Sequence, residues 1–223
     1  IYPAPVGTFS QVSTGIYFSC GVRTDSSLAC WGDNADGRAT PPAGTFTNVS
    51  VLTSHGCAVR TDGSLQCWGD NEVRQVSAPS GTFTQAAAGD DYSCALRADS
   101  TAVCWGNWYG AAPAGDFVSV ATDGLDSYWL QSDGQVLCWR GCSYGAMPSP
   151  VGTFTQVDVG SNYGCGLRDD DAIVCWGTNV YGQATAPSGE FSQLSTGFDH
   201  ACAVRADQTV ACWGRDLPPT PVA

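Results

Sequence analysis

One spacing constrains this chain more than any other. Five pairs of cysteines share the pattern C-x9-C: Cys20/Cys30, Cys57/Cys67, Cys94/Cys104, Cys165/Cys175 and Cys202/Cys212. Zinc ribbons and fingers are built from paired C-x2-4-C knuckles, and these five pairs do not supply them. Repeated disulfides formed in an oxidising compartment fit the spacing better. The pairs also sit inside a longer period. A Gly-x-Phe triplet recurs at Phe9, Phe46, Phe83, Phe117, Phe154 and Phe191, in steps of 37, 37, 34, 37 and 37 residues. Trp31, Trp68, Trp105, Trp139, Trp176 and Trp213 recur in the same phase, each directly after a Cys. An Asp recurs with them at Asp25, Asp62, Asp99, Asp133, Asp170 and Asp207.

Each unit reads as four short strands. The first is F-x-Q-V, the second C-x-V-R and the third x-x-C-W-G, and a W-G-x-N-x-Y-G loop leads into a short fourth segment ending at Pro. Asp-Gly or Asp-Ser between two apolar alternations signals a hairpin. A three-residue loop centred on Asp25 places Cys20 directly opposite Cys30. Opposed strand residues lie within disulfide reach, and each such closure is worth about 2–3 kcal/mol of chain entropy. Four-stranded units of about 40 residues with a recurrent Trp point to a β-propeller. The expectation is an all-β fold: a single six-bladed β-propeller spanning 1–223, with intra-blade disulfides and repeats starting at 7, 44, 81, 115, 152 and 189. Ile1 enters at the phase of Arg38 and Ala223 leaves at that of Pro41, so residues 1–6 are expected to help close the ring.

Composition narrows the function. The formal net charge is -12, with 21 acids against nine bases, all of them Arg. Phosphate binding needs clustered positive charge, which argues against nucleic acid and anionic membrane as partners. No apolar run approaches 18 residues, so no membrane span is expected. A chain beginning at Ile1 rather than Met reads as the mature form of a processed protein, secreted or at the cell surface.

The units H-x-C-A-V-R-x-D…C-W-G (His55 to Gly69, His200 to Gly214) and W-G-T-N-V-Y-G-Q (Trp176 to Gln183) resemble the regulator-of-chromosome-condensation repeat family. They look most like its secreted, cysteine-bearing bacterial branch and the crinkly-type plant receptor ectodomains. The family is usually seven-bladed, so six repeats is a departure. The resemblance implies protein recognition by a loop face, since the repeat serves exchange factors, secreted β-lactamase inhibitors and receptor ectodomains.

Residues that obey the template are read as structural. Arg23, Arg60, Arg97, Arg168 and Arg205 stand two before the turn Asp and are expected to pair with it. His55 and His200 occupy a slot held elsewhere by Phe18, Tyr92, Asp126 and Tyr163, and are expected to be packed or hydrogen-bonded rather than metal-bound. Repeat 4 departs furthest. Tyr128 replaces the first Cys, and Trp129 stands where other units have Gly or Ala, either filling space or binding. Cys138, left without its cross-strand partner, is expected to bridge to Cys142. Asp33-Asn34-Ala35-Asp36-Gly37 opens like a calcium loop but lacks the terminal Glu. It also fits the ordinary template, so no cofactor or metal is assigned and calcium stays an alternative. Asn48-Val49-Ser50 is a glycosylation sequon.

Function is sought in the loops. In an up-and-down blade the first–second and third–fourth loops open on one face. That face is expected to collect Tyr17, Asp90, Asp91, Trp108, Tyr109, Arg140, Tyr144, Tyr181 and Phe198, densest in blades 3 to 5. Exposed aromatics mixed with carboxylates are typical anchors for a protein or sugar. Enzyme chemistry lacks its parts: no Lys for a Schiff base, no H-E-x-x-H and no glycine-rich phosphate loop. The reading is a secreted, non-catalytic module that recognises a protein partner. The alternatives are a glycan-binding lectin and a self-assembling subunit of an extracellular filament or sheath.

Overall fold

The turn aspartates explain why the hairpins form where they do. In the computed structural model, which describes residues 5–107, 111–124, 126–139 and 150–215, Asp25 Oδ1 accepts from the Ser27 amide at 2.9 Å and its hydroxyl at 2.7 Å. Asp62, Asp99 and Asp207 hold Ser64, Thr101 and Thr209 in the same way. These donors hold the Asp25 carboxyl below its ordinary range, ahead of any contribution from Arg23. The residue after each Asp takes the left-handed conformation, as at Ser26 (φ 68°) and Gly63 (φ 83°). That is the three-residue hairpin loop the spacing implies.

The cysteines follow from the same register. Cys20 stands opposite Cys30 with Cα atoms 4.1 Å apart, and the two are bridged. Cys57–Cys67, Cys94–Cys104, Cys165–Cys175 and Cys202–Cys212 are bridged across 4.0 Å each. All five template disulfides therefore form inside their own hairpins. The two ends of a bridge are not equally covered. Cys20, Cys57, Cys94 and Cys165 are buried, whereas Cys30, Cys67, Cys104, Cys175 and Cys212 on the third strands are only half-buried.

The expected Arg–Asp pairing is largely overturned. Among the described residues only Arg168 reaches its turn carboxylate, Asp170, at 3.6 Å. Arg23, Arg60, Arg97 and Arg205 instead lie over the rings of Phe9, Phe46, Phe83 and Phe191, at 5.2, 4.9, 5.3 and 5.1 Å. The register explains the choice. Phe9 pairs with Arg23 across the strands, and the Asp is already filled by its own turn, so the guanidinium settles on the ring face.

Six sheets result, each of three consecutive antiparallel strands. Blade 1 holds β1 (Phe9–Thr14), β2 (Phe18–Arg23) and β3 (Leu28–Gly32), and blade 2 holds β4 (Phe46–Val51), β5 (His55–Arg60) and β6 (Leu65–Gly69). Blade 3 follows with β7 (Phe83–Ala88), β8 (Tyr92–Arg97) and β9 (Ala102–Gly106). Blade 4 holds β10 (Phe117–Thr122), β11 (Ser127–Gln131) and β12 (Val136–Trp139). Blade 5 holds β13 (Phe154–Gly160), β14 (Tyr163–Arg168) and β15 (Ile173–Gly177), and blade 6 holds β16 (Phe191–Thr196), β17 (His200–Arg205) and β18 (Val210–Gly214). The chain divides into two compact units, 1–120 and 121–223, the boundary falling inside β10.

The fourth segment is not a strand among the described residues, contrary to expectation. Side chains hold it instead. Asn34, Asn71 and Asn179 each accept from a backbone amide five residues on, at Ala39, Val76 and Ala184. Buried Gln75 and Gln183 fold back onto the amides of Val73 and Tyr181. The carbonyls so fixed take the indole N–H of the next repeat: Trp68 donates to Arg38, Trp105 to Gln75 and Trp213 to Gln183, at 2.8–2.9 Å. The template Gln and Trp are therefore two ends of one joint between blades.

A second joint runs along the first strands. Gln11 grips the peptide groups of Val49 through both amide atoms, at 3.1 and 2.9 Å. Gln85 does the same to Val120, and Gln156 to Leu194. A side-chain amide thus stands in for the missing backbone of a neighbouring strand. Between these joints Phe46, Phe117 and Phe191 are almost wholly buried. Gln156→Ala removes two such bonds and strands the Leu194 peptide, so a loss of about 2 kcal/mol is expected by chemical denaturation. A change under about 0.5 kcal/mol, the low end for a single hydrogen bond, would show that the joint carries no weight.

Candidate partner-binding loops

The two loop types open at one end of blades 1, 2, 3, 5 and 6, because a backbone bond ties them. The residue after each W-G donates to the first–second loop: Asp33 to Tyr17, Asp70 to Ser54, Asn107 to Asp91, Thr178 to Asn162 and Arg215 to Asp199, at 2.8–3.1 Å. In unit 1 this end carries Tyr17, Asp90 and Asp91. Tyr17 is exposed and stacks against the Arg38 guanidinium, 5.6 Å from the ring centroid. Asp90 accepts from the Thr53 hydroxyl of the preceding repeat, and Asp91 is exposed.

In unit 2 the end carries Tyr181 and Phe198, 45% and 59% exposed. Arg215 joins them, its guanidinium 4.5 Å from the Tyr181 ring and 3.2 Å from the Asp199 carboxylate. Sequence reasoning passed over Arg215. The signal was available, since this slot holds Asp33, Asp70, Asn107 and Thr178 in other repeats and only here a cation among them. Trp108, Tyr109, Arg140 and Tyr144 lie outside the described residues, as does Leu125.

Several expectations are decided by burial and bonding. Trp129 is fully buried and its indole donates to Ser127 at 3.1 Å, which makes it a packing residue. Cys67, Cys104, Cys175 and Cys212, like Cys30, are held in bridges and so supply no free thiol to the loop end. Cys138 is disulfide-bonded as well, and Cys142, its expected partner, lies outside the described residues. His55 is fully buried, with Nε2 2.8 Å from Ser93 Oγ, which itself donates to the Gln75 carbonyl at 2.9 Å. Burial holds the imidazole down to about 4, against the opposing pull of Asp70 and Asp91. His200 is instead exposed, so the packed reading fails there. Its ring lies over Gly197, where a Cβ would meet it at 2.6 Å.

Asp33 and Asp36 lie 3.8 and 3.7 Å from the Arg38 guanidinium, so a side-chain cation stands beside both carboxylates. Among the described residues no group of three His, Cys, Asp or Glu side chains is placed to hold a metal. No helix among them is long and apolar enough to cross a membrane. The sequon Asn48 sits in β4, and its side-chain oxygen accepts from the Ala86 amide at 2.9 Å.

Hairpin-built blades, joined through side chains and carrying their loops at one end, define a β-propeller repeat protein. Within that class, residues 9–38, 53–75, 154–183 and 191–216 match the regulator of chromosome condensation (RCC1) repeat, so blades 1, 2, 5 and 6 resemble that repeat family. The chain is similar to the crinkly ectodomain of the receptor kinase ACR4 from Arabidopsis thaliana. The two are 27% identical with a TM-score of 0.78, over 95% of this chain and 81% of that one. It is also similar to the entire ectodomain of the receptor kinase CR4 from Physcomitrella patens, 27% identical with a TM-score of 0.79, over 96% of this chain and 64% of that one. Yeast RCC1 (Prp20), solved bound to Kap60, shares the fold at 14% identity and a TM-score of 0.73, over 91% and 69% of the two chains. No curated protein sequence matches the chain.

Proposed function

We propose that this chain is a secreted, non-catalytic recognition module that binds a protein partner through its loop end. The observation that carries the reading is the Tyr181–Arg215–Asp199 stack beside exposed Phe198. An aromatic ring held by a guanidinium, which is itself held by a carboxylate, is ordered before a partner arrives, so little side-chain entropy is lost on binding. Tyr and Arg are also the side chains that most often anchor protein interfaces. Tyr17, Asp90 and Asp91 at the loop end of unit 1, and the loop residues Trp108, Tyr109, Arg140 and Tyr144, are proposed as further partner contacts. Two plant ectodomains with this fold support an extracellular setting, as do five disulfides within hairpins, since such bridges persist in oxidising compartments.

The test is affinity capture from the medium in which the protein is secreted. Tyr181→Ala with Phe198→Ala should weaken capture of the wild-type partner by about 100-fold or more, with thermal stability nearly unchanged. Undiminished capture by the double variant would sink the site. A glycan array that gives hits where protein capture gives none would replace the protein with a sugar.

A further inference from the structure

The outer edge of β6 is left open by the way the chain continues from it. The Arg60 N–H donates to the Ser64 carbonyl at the hairpin, and the Asp70 N–H to the Ser54 carbonyl at the loop end, at 2.8 and 3.1 Å. In the antiparallel register between these bonds, Val59↔Leu65 and Cys57↔Cys67 are the pairs that exchange no backbone bonds. The 4.0 Å Cα separation of the two cysteines agrees. The N–H and C=O of Leu65 and Cys67 therefore point away from β5, and no described residue bonds them. The last segment of the four-stranded template would lie there, but it is held elsewhere. Asn71 holds the Val76 amide, and the Gln75 carbonyl is taken by Ser93 and Trp105 of the next repeat. The strand is also unguarded: Leu-Gln-Cys-Trp-Gly has no Lys, no Pro and no register shift against β5, the devices by which sheets close an edge. All of it except Trp68 is half-buried. Blade 2 and the repeats before and after it belong to unit 1 and are described without a break through Asn107.

We propose that an extended segment of a protein partner adds to β6 as the fourth strand of blade 2, held by main-chain bonds to Leu65 and Cys67. Strand addition of this kind suits a free edge, because only another extended backbone matches its spaced donors and acceptors. This surface is the edge of a sheet, apart from the loop end, and the inference does not rest on the function proposed above.

The charges choose the occupant. Asp62 stands at the start of the edge, its carboxyl held below its ordinary range by the Ser64 hydroxyl and amide. Asp70 and Glu72 follow its end, against one cation, Arg74. Arg60, the cation of the hairpin, is turned over the Phe46 ring and donates to the Ala43 carbonyl and to Gln66. A second copy paired antiparallel on this edge would set acid against acid at both ends, in a chain of net charge -12, and like charges across a strand pair repel. The segment that fits is uncharged at its centre and carries Lys or Arg at its ends.

Residue-resolved hydrogen exchange on the full chain tests this, with a peptide of alternating Val and Thr flanked by Lys as the probe. In the free chain the Leu65 and Cys67 amides should exchange fast, and those of Gln66 and Trp68, which face β5, slowly. Saturating peptide should slow Leu65 and Cys67 by about tenfold or more. The same peptide with Glu at its ends, or with its edge-facing amides N-methylated, should bind at least about tenfold more weakly. Tyr181→Ala with Phe198→Ala should leave all of this untouched. Slow exchange at Leu65 and Cys67 in the free chain overturns the proposal, as does a peptide that slows neither amide. Binding that N-methylation leaves unchanged also overturns it, and equal binding of the Glu-flanked peptide removes the basic partner. Slowing that grows with protein concentration in the absence of peptide would put a second copy on the edge instead.

Discussion

Trp129→Ala should destabilise the protein by about 3–5 kcal/mol, the range for deleting a fully buried large aromatic. The ring has no exposed surface and its N–H is satisfied within the blade. The same slot holds Gly21 and Gly166, where even a Cβ would meet a Phe ring at 2.5 and 2.4 Å. Blade 4 is thus packed to a different plan from its neighbours, around the indole of Trp129 and the ring of Tyr128. Its template Trp supplies the control. Trp139 is 37% exposed, where Trp68 and Trp213 are buried and bonded to the preceding repeat. Trp139→Ala should therefore cost less than about 1 kcal/mol. Urea unfolding of the two variants checks the pair, and equal losses would mean that blade 4 uses the same core as the rest.

His55→Phe should change how stability depends on acid, by about 3 kcal/mol between pH 6.5 and 4. The hydrogen bonds fix the cause. Ser93 spends its proton on the Gln75 carbonyl, so the neutral imidazole must donate from Nε2. A second proton would enter at Nδ1, which is buried without a hydrogen-bond partner. With the folded value held near 4 and the ordinary one at 6.5, the contribution is whole above pH 6.5 and is lost as pH falls through 4. Asp126, pushed up to about 6 by burial and then by Asp123, works in the opposite sense and gains stability as pH falls below 6. The wild-type profile therefore hides the histidine, and the difference between variant and wild type reveals it. Relative to wild type, His55→Phe should grow more stable on acidification. A difference that stays flat from about pH 7 to 4 would contradict the assignment.

The parts of the fold that could be read in the sequence are those set by local chemistry repeated in phase. Asp25, the residue after it, and the pair Cys20/Cys30 determine one another through turn geometry, so register followed from spacing. The same reasoning located Cys67, Cys104, Cys175 and Cys212 opposite their partners, each ten residues on. What could not be read depended on partners distant in the chain. The choice of Arg23 between Asp25 and Phe9 is made by a strand 14 residues earlier. Asn48 was legible as part of a sequon, but not as a bond to a strand of the next blade. Asn34 and Gln75 replaced an expected fourth strand with side-chain bonds, a substitution that no alternation of apolar residues announces. At the loop ends, Tyr17, Tyr181 and Phe198 were legible as aromatic residues in loop positions, and all three are exposed. Arg215 was legible only as an unusual cation in its slot, because its stacking partner Tyr181 lies in another repeat.

One further property follows from where the five described disulfides lie. Each closes a hairpin, joining residues only ten apart, and none crosses from one blade to another. Covalently, these bridges make each of the five blades that hold them a closed tile but leave those tiles strung on a single thread. A protease cut between Ala43 and Gly44 would release a separate fragment in denaturant without any reductant, whereas a cut at Asp25 would leave its two ends tied through Cys20 and Cys30.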